Sequence, residues 1–233
     1  MNDENSDSIG EGSNDMVYSN LRKLLLSGWL KKNGNTEYNS PLKLQKFLLF
    51  YEAFTKISGD KADFSNLRGY ERGPVFSNVW GDYTHERYEF DSAAEEEYFN
   101  LQESVNEERA KKSQFIVSIL SEKELSELTH KLNLWKAKED RIMRGEKQVD
   151  LSEGDFNDED AQIMKLLDEM YPTSLIDNSH IIEIDNHYFI FRKQDAEQLT
   201  AQHFDTLSAL SDNEQLMNPV YVELDEEGRL IID

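Results

Sequence analysis

Between Ser40 and Gly59 the chain reads SPLKLQKFLLFYEAFTKISG, and apolar residues fall on most sides of the helix this segment predicts. Ser40 suits the N-cap, and Pro41 suits the first helical position, where its missing N–H costs nothing. Gly59 is placed to take a left-handed C′ stop. Between them Leu44, Phe47, Leu48, Tyr51 and Phe54 recur at helical spacing, while Leu42, Leu49 and Phe50 widen the apolar surface beyond one stripe. Such a helix cannot lie against water. It belongs in the middle of a bundle with other helices packed around it, and no other feature constrains the fold as strongly.

The flanking segments supply those neighbours. Tyr18 to Lys32 carries Leu21, Leu24, Leu25, Trp29 and Leu30 and reads as a first amphipathic helix, with GNTEY as a loop after it. Phe64 to Tyr70 reads as a short extended piece or loop. Pro74 is expected to open a further helix bearing Val75, Phe76, Val79 and Trp80. Asp91 to Leu120 has a helical pattern long enough for one or two helices, and its acids, from Glu95-Glu96-Glu97 to Glu108, face away from the apolar positions. Ser121 with Glu124 makes a capping box for a helix over Glu122–Lys138, striped by Leu125, Leu128, Leu132 and Trp135.

The organisation that follows is mainly α. Residues 1–15 are polar and predict a disordered tail, 16–145 a compact helical domain, and 146–160 an acidic linker. The period then changes. After a helix from Asp160 to Met170, stopped by Pro172, two β-rich runs flank Asp185-Asn186-His187 as a hairpin. A helix over Ala196–Ser211 and a second hairpin around Asp225-Glu226-Glu227-Gly228 complete a small ββαββ-like α+β appendage within 161–233.

Three ordered motifs stand out: Lys43-Leu44-Gln45-Lys46-Phe47-Leu48-Leu49, Arg72-Gly73-Pro74-Val75, and Leu125-Ser126-Glu127-Leu128-Thr129-His130 with Trp135 beyond it. This layout resembles the Panacea (SocA-like) antitoxin domain of prokaryotic and phage toxin–antitoxin systems. That family pairs a Lys-Leu-Gln-Lys-Leu-Leu-Tyr-like helix with a Gly-Pro-Val turn and a later Leu-Thr-His…Trp segment. The chain departs from it at Phe47, Phe50-Tyr51 and Leu134, all of which keep apolar volume. The resemblance covers the helical domain and leaves the C-terminal appendage outside. It implies a Panacea-like bundle and a non-enzymatic antitoxin that neutralises a cognate protein toxin, encoded beside it, by direct binding.

Composition narrows the alternatives. With 25 Lys+Arg against 47 Asp+Glu, the formal charge of −22 opposes binding to nucleic acid or anionic membranes and favours basic partners. There is no cysteine, hence no disulfide or thiolate chemistry. No apolar run approaches the roughly 20 residues that span a bilayer, and the N-terminus lacks a signal-peptide pattern, so a cytoplasmic location is expected. No phosphate loop, zinc-binding His pair or nucleophile elbow occurs. No DNA-reading helix is recognisable either. His180 and His187, with Glu183 and Asp185, could form at most a weak metal site, and turn positions explain them better. No cofactor, metal or catalytic residue is expected.

Candidate contact residues cluster around the glycine-rich turn: Arg68, Tyr70, Arg72, Pro74, Trp80 and Tyr83. The arginines fit carboxylates of a partner or of this chain, and the aromatics fit an interface or the bundle interior. Lys43, Leu44, Lys46, Gly73, Pro74, Val75, Thr129, His130 and Trp135 are read as fold-motif positions, with a Thr129–His130 hydrogen bond locking neighbouring helices. The appendage is read as selecting the partner, and its strand edges leave homo-oligomers open. The alternative to an antitoxin is an acidic nucleic-acid mimic or an adaptor from a phage or mobile element.

Overall fold

A computed structural model describes residues 17–213 and 215–232; the tail at 1–15 lies outside the described residues. The chain is mainly α-helical, in the order α1 (Leu21–Asn33), α2 (Asn35–Asn39), α3 (Pro41–Ile57), β1 (Leu67–Tyr70), β2 (Gly73–Phe76), α4 (Ser77–His85), α5 (Arg87–Leu101), α6 (Glu107–Ser118), α7 (Glu122–His130), α8 (Asn133–Lys136), α9 (Glu139–Met143) and β3 (Val149–Asp150). It continues with α10 (Asp158–Met170), α11 (Thr173–Asn178), β4 (Ser179–Ile184), β5 (His187–Arg192), α12 (Lys193–Ala196), α13 (Ala201–Ser211), β6 (Val220–Leu224) and β7 (Leu230–Ile232). No described helix is long and apolar enough to cross a membrane.

Helix α3 is the axis of the bundle. Ser40 caps it by accepting the Lys43 N–H, Pro41 opens it, and Gly59 follows its end at φ +80°. Every residue from Leu42 to Thr55 is buried, including Lys43, Gln45, Lys46 and Glu52. Polar groups this deep require partners. Glu52 takes Arg22 and Lys23 from α1 and the backbone N–H of Asp63. Around α3 pack α1, α2, α4, α6, α7 and α10. Helix α5 lies against α1 so closely that a Cβ on Gly28 would sit 2.1 Å from the Ala94 carbonyl oxygen.

Several local expectations give way to longer-range contacts. GNTEY holds the short helix α2. The helix expected over Glu122–Lys138 breaks after His130, because the Asp160 carboxylate accepts the backbone N–H groups of Asn133 and Leu134 and caps α8 from a distant segment. The helix expected over Ala196–Ser211 begins only at Ala201, as α13; Ala196 ends the separate short helix α12, and Leu199 lies between the two.

Pro74 does not open a helix. It sits in β2, the edge of a sheet ordered β2-β1-β3, with Gly69 opposite Pro74 across an antiparallel pair. Pro74 shares its parity with Phe76, whose N–H turns away from β1 to Gln45 Oε1 at 2.8 Å. The position therefore points its nitrogen outward, where no donor is needed, and proline fits an edge strand there. The helix begins three residues later, at Ser77.

Residues 146–160 are not a free linker. Val149 pairs with Gly69 and Asp150 with Arg68, while Val149, Leu151 and Phe156 are buried in the main core. Apolar side chains spaced among the acids carry the segment inward. The bundle continues through α10 and α11, with Met164 fully buried and the Tyr171 ring 5.4 Å from Phe115. The ββαββ pattern is present from β4 to β7, in a sheet ordered β4-β5-β6-β7 whose β5–β6 pair is parallel. Phe189 and Phe191 face a second core with Leu207, Val220 and Val222, while Ile190 between them packs on the bundle. The β4–β5 turn is Asp185-Asn186 alone, both at positive φ, and His187 already belongs to β5.

Candidate functional site

The three sequence motifs meet at one hairpin. Strands β1 and β2 are joined by Glu71-Arg72, and two neighbouring elements, α3 and α8, hold the outward backbone groups at this end. From α3, Lys46 Nζ donates to the carbonyls of Arg72 at 2.9 Å and Pro74 at 3.3 Å. Gln45 accepts the Phe76 N–H. From α8, the Trp135 indole N–H donates to the Tyr70 carbonyl at 2.9 Å. The end of α7 closes over Gly73, where a Cβ would lie 2.4 Å from Lys46 Nζ and 2.6 Å from Thr129 Oγ1, at φ +102°. A side chain at Gly73 would meet both steric and conformational obstacles.

The electrostatics at this seat are unusual. Lys46 is 1% exposed, and its amine bonds carbonyls, with no carboxylate paired to it among the described residues. Desolvation alone pulls its pKa down to about 7. His130 stacks on Trp135 with ring centroids 3.9 Å apart, and burial, then the nearby Lys46 charge, lowers its pKa. Thr129 and His130 make no bond to each other. Thr129 Oγ1 returns its proton to the Leu125 and Ser126 carbonyls, and His130 Nε2 is a buried nitrogen without a partner among the described residues. Both lie in the last turn of α7, beside the hairpin, and not in mid-helix.

On the other side of the hairpin an open cleft of about 390 Å³ runs between α3, the β1–β2 tip and α4. Pro41, Leu42, Val75, Tyr70 and Trp80 give it apolar walls, Lys46 and Gln45 reach its floor, and Glu71, Arg72 and Glu122 stand at its rim. Trp80 is 38% exposed, uncommon for so large an aromatic, and the Arg72 side chain is 73% exposed with only a 3.6 Å approach to Glu122. Such a cleft can accept an apolar side chain and present a cation beside it.

Of the sequence-predicted contact residues, Tyr70, Arg72 and Trp80 line this cleft. Pro74 is buried behind them in β2. Arg68 is engaged across the sheet with Asp150. Tyr83 is 5% exposed and turned into the bundle, where its hydroxyl donates to the Tyr38 carbonyl and its ring lies 5.9 Å from Phe90. Of the four aromatics along this stretch, which by sequence alone could make one cluster, Tyr70 and Trp80 line the cleft while Phe76 and Tyr83 are buried. Among the motif residues, Lys43 is buried with its ammonium 4.7 Å over the Tyr188 ring, and Leu44 is fully buried. Val75 borders the cleft.

Pro41, Leu42, Gln45, Glu71 and Glu122 complete the site, and sequence reasoning does not single them out as contacts. Gln45 carries a signal, as a polar residue inside an apolar helix; the others carry none, since only the fold brings them to one mouth. His180 stands opposite Phe191 and His187 opposite Ile184, four residues further along the hairpin, and His187 Nε2 lies 3.2 Å from the Leu216 carbonyl. Among the described residues no three His, Asp or Glu side chains gather in a way that could hold a metal ion. Comparison with protein-family models, with curated proteins and with solved structures finds no match to this chain. The likeness to the Panacea family rests on the three motifs.

Proposed function

We propose that this protein is an antitoxin that neutralises a cognate protein toxin by direct, non-covalent binding, and that the cleft between α3, the β1–β2 tip and α4 receives an apolar anchor of that toxin. The motif resemblance supplies the role. The observation that carries the contact surface is the exposure of Trp80 and Arg72 at the mouth of an otherwise apolar cleft, the arrangement in which a few buried anchors supply most of an interface's energy. The first and third motifs hold the hairpin that contains the second and forms one wall, so their part in this reading is to position Tyr70 and Arg72.

The reading as a nucleic-acid mimic has less support. The exposed acids of α5 flank aromatic side chains and do not form an unbroken row.

Co-expression with the product of the neighbouring gene tests the proposal. Wild-type protein restores growth and co-purifies with that product, whereas Trp80→Ala and Arg72→Glu, both still folded by circular dichroism, weaken the complex at least tenfold, and Arg72→Glu, on a side chain 73% exposed, unfolds at the wild-type denaturant midpoint. No growth rescue and no complex with wild-type protein would sink the antitoxin role. Rescue unaffected by either substitution would move the contact away from the cleft.

A further inference from the structure

Helix α5 carries a second feature that the cleft does not explain. Tyr88, Ser92, Glu95 and Phe99 recur at intervals of four, three and four, which places them in one narrow line along the helix. This line faces away from the bundle, because the opposite face buries Phe90 and Ala94. Tyr88 and Phe99 are each 79% exposed, against 0% for Phe90 and Ala94. Two large aromatics held in water at the ends of one helix line have the form of two separate interface anchors.

The charges around the line identify what covers it. Asp91, on one side of the line, and Glu95, within it, are already paired with Lys31 of α1, at 3.0 and 2.8 Å. On the other side Glu89 and Glu96 have no ion-pair partner among the described residues. A second copy of this chain fits poorly: antiparallel pairing of two α5 helices would set Tyr88 against Phe99 but also bring Glu89 of each copy beside Glu96 of the other, and each copy carries a formal charge of −22. Nucleic acid and anionic lipid meet the same repulsion. A basic protein is attracted along the Glu89–Glu96 side, while Lys31 and Lys32 of α1 stand near Phe99 on the other side, which confines its cations to the first.

We infer that the outer face of α5 is a docking helix for a basic partner protein, with Tyr88 and Phe99 as anchors and Glu89 and Glu96 as the free counter-charges. Eleven residues at 1.5 Å each set the anchors about 16.5 Å apart. The partner offers a groove with two apolar pockets at that spacing and Lys or Arg along one lip, the helix-in-groove mode of recognition. The helix is presented in advance of binding, since the close packing of Gly28 on Ala94 fixes α5 against α1. This surface is distinct from the cleft, and its existence does not depend on the antitoxin reading.

The test is a photo-crosslinking amino acid placed at Ser92 in the full-length protein, in the cells that naturally make it. The captured protein is then purified and titrated against wild type, Tyr88→Ala/Phe99→Ala, Glu89→Lys/Glu96→Lys and Trp80→Ala. A basic captured protein whose affinity falls at least tenfold with each of the two α5 double variants, weakens with added salt and ignores Trp80→Ala is the expected result. Tyr88, Glu96 and Phe99 are exposed and Glu89 is half-buried, so the Tyr88→Ala/Phe99→Ala variant should unfold as wild type does, and Glu96→Lys alone serves as the charge variant if Glu89→Lys lowers stability. A crosslink to a second copy, an acidic captured protein, affinity unchanged by both α5 double variants, or no crosslink at all would overturn the inference. Loss of growth rescue alone bears on the antitoxin reading and leaves this outcome to the titration.

Discussion

Replacing Gly73 by alanine tests whether the motifs exist to seat the hairpin. At φ +102° a side chain is strained by about 1–2 kcal/mol. The new methyl group also falls 2.4 Å from Lys46 Nζ and 2.6 Å from Thr129 Oγ1, so the amine must withdraw from the Arg72 and Pro74 carbonyls. Those two hydrogen bonds are worth about 0.5–1.5 kcal/mol each, for a total cost of about 2–5 kcal/mol. Gly59 provides the control. It has φ +80° and nothing within 4 Å of where a methyl group would stand, so Gly59→Ala carries the strain without the collision. Both substitutions stiffen the unfolded chain equally, and that contribution cancels between them. Urea unfolding should therefore place Gly73→Ala about 1–3 kcal/mol below Gly59→Ala, the worth of the two displaced bonds. In a Lys46→Met background most of that gap should close. If the two alanine variants agree within about 0.5 kcal/mol, the contact seen at Gly73 does not govern the seat and the reasoning fails.

Lys46 itself makes stability depend on pH. Its folded pKa of about 7 lies below the ordinary lysine value of 10.5, so between these values the unfolded chain binds more protons and stability rises with pH. Relative to Lys46→Met, wild type should gain up to about 1.4 kcal/mol per pH unit between pH 7 and 10, and no slope from this group should appear below pH 7. Asp160→Ala removes the acceptor for the Asn133 and Leu134 N–H groups and should cost about 1–3 kcal/mol, with those two amides exchanging hydrogen faster than their neighbours. Trp135→Phe keeps an aromatic ring beside His130 but drops the bond to the Tyr70 carbonyl; calorimetry should show a loss of about 1–2 kcal/mol, and a loss near zero would remove Trp135 from the seat.

How far the chain can be read depends on the range of the deciding interaction. The bounds and burial of α3 are legible because Ser40, Pro41, Gly59 and the apolar spacing act within a few residues of one another. The β4–β5 hairpin is legible for the same reason, since its β-rich runs and turn residues are adjacent. Pro74 is not, because proline suits both the first turn of a helix and an outward-facing edge-strand position. Gln45 and Lys46 make the choice; they lie nearly thirty residues earlier and satisfy the free edge of β2. The segment over 146–160 misleads in a similar way: its acids signal solvent, whereas Val149, Leu151 and Phe156 find their burial only when β1 and the bundle are already in place.

The candidate site divides along the same line. Tyr70, Arg72 and Trp80 can be chosen from a glycine-rich turn bearing aromatics and cations, but so can Arg68 and Tyr83, which the fold commits to Asp150 and Tyr38. By itself the sequence determined the helical class, the central helix and the acidic balance, because those follow from composition and from periodicity along one segment. Only the tertiary structure decided which side chains share the cleft, which carboxylates of α5 remain unpaired, and that three separated motifs meet at a single hairpin. Those outcomes are set by proximity between distant segments, through hydrogen bonds and ion pairs that no local spacing encodes.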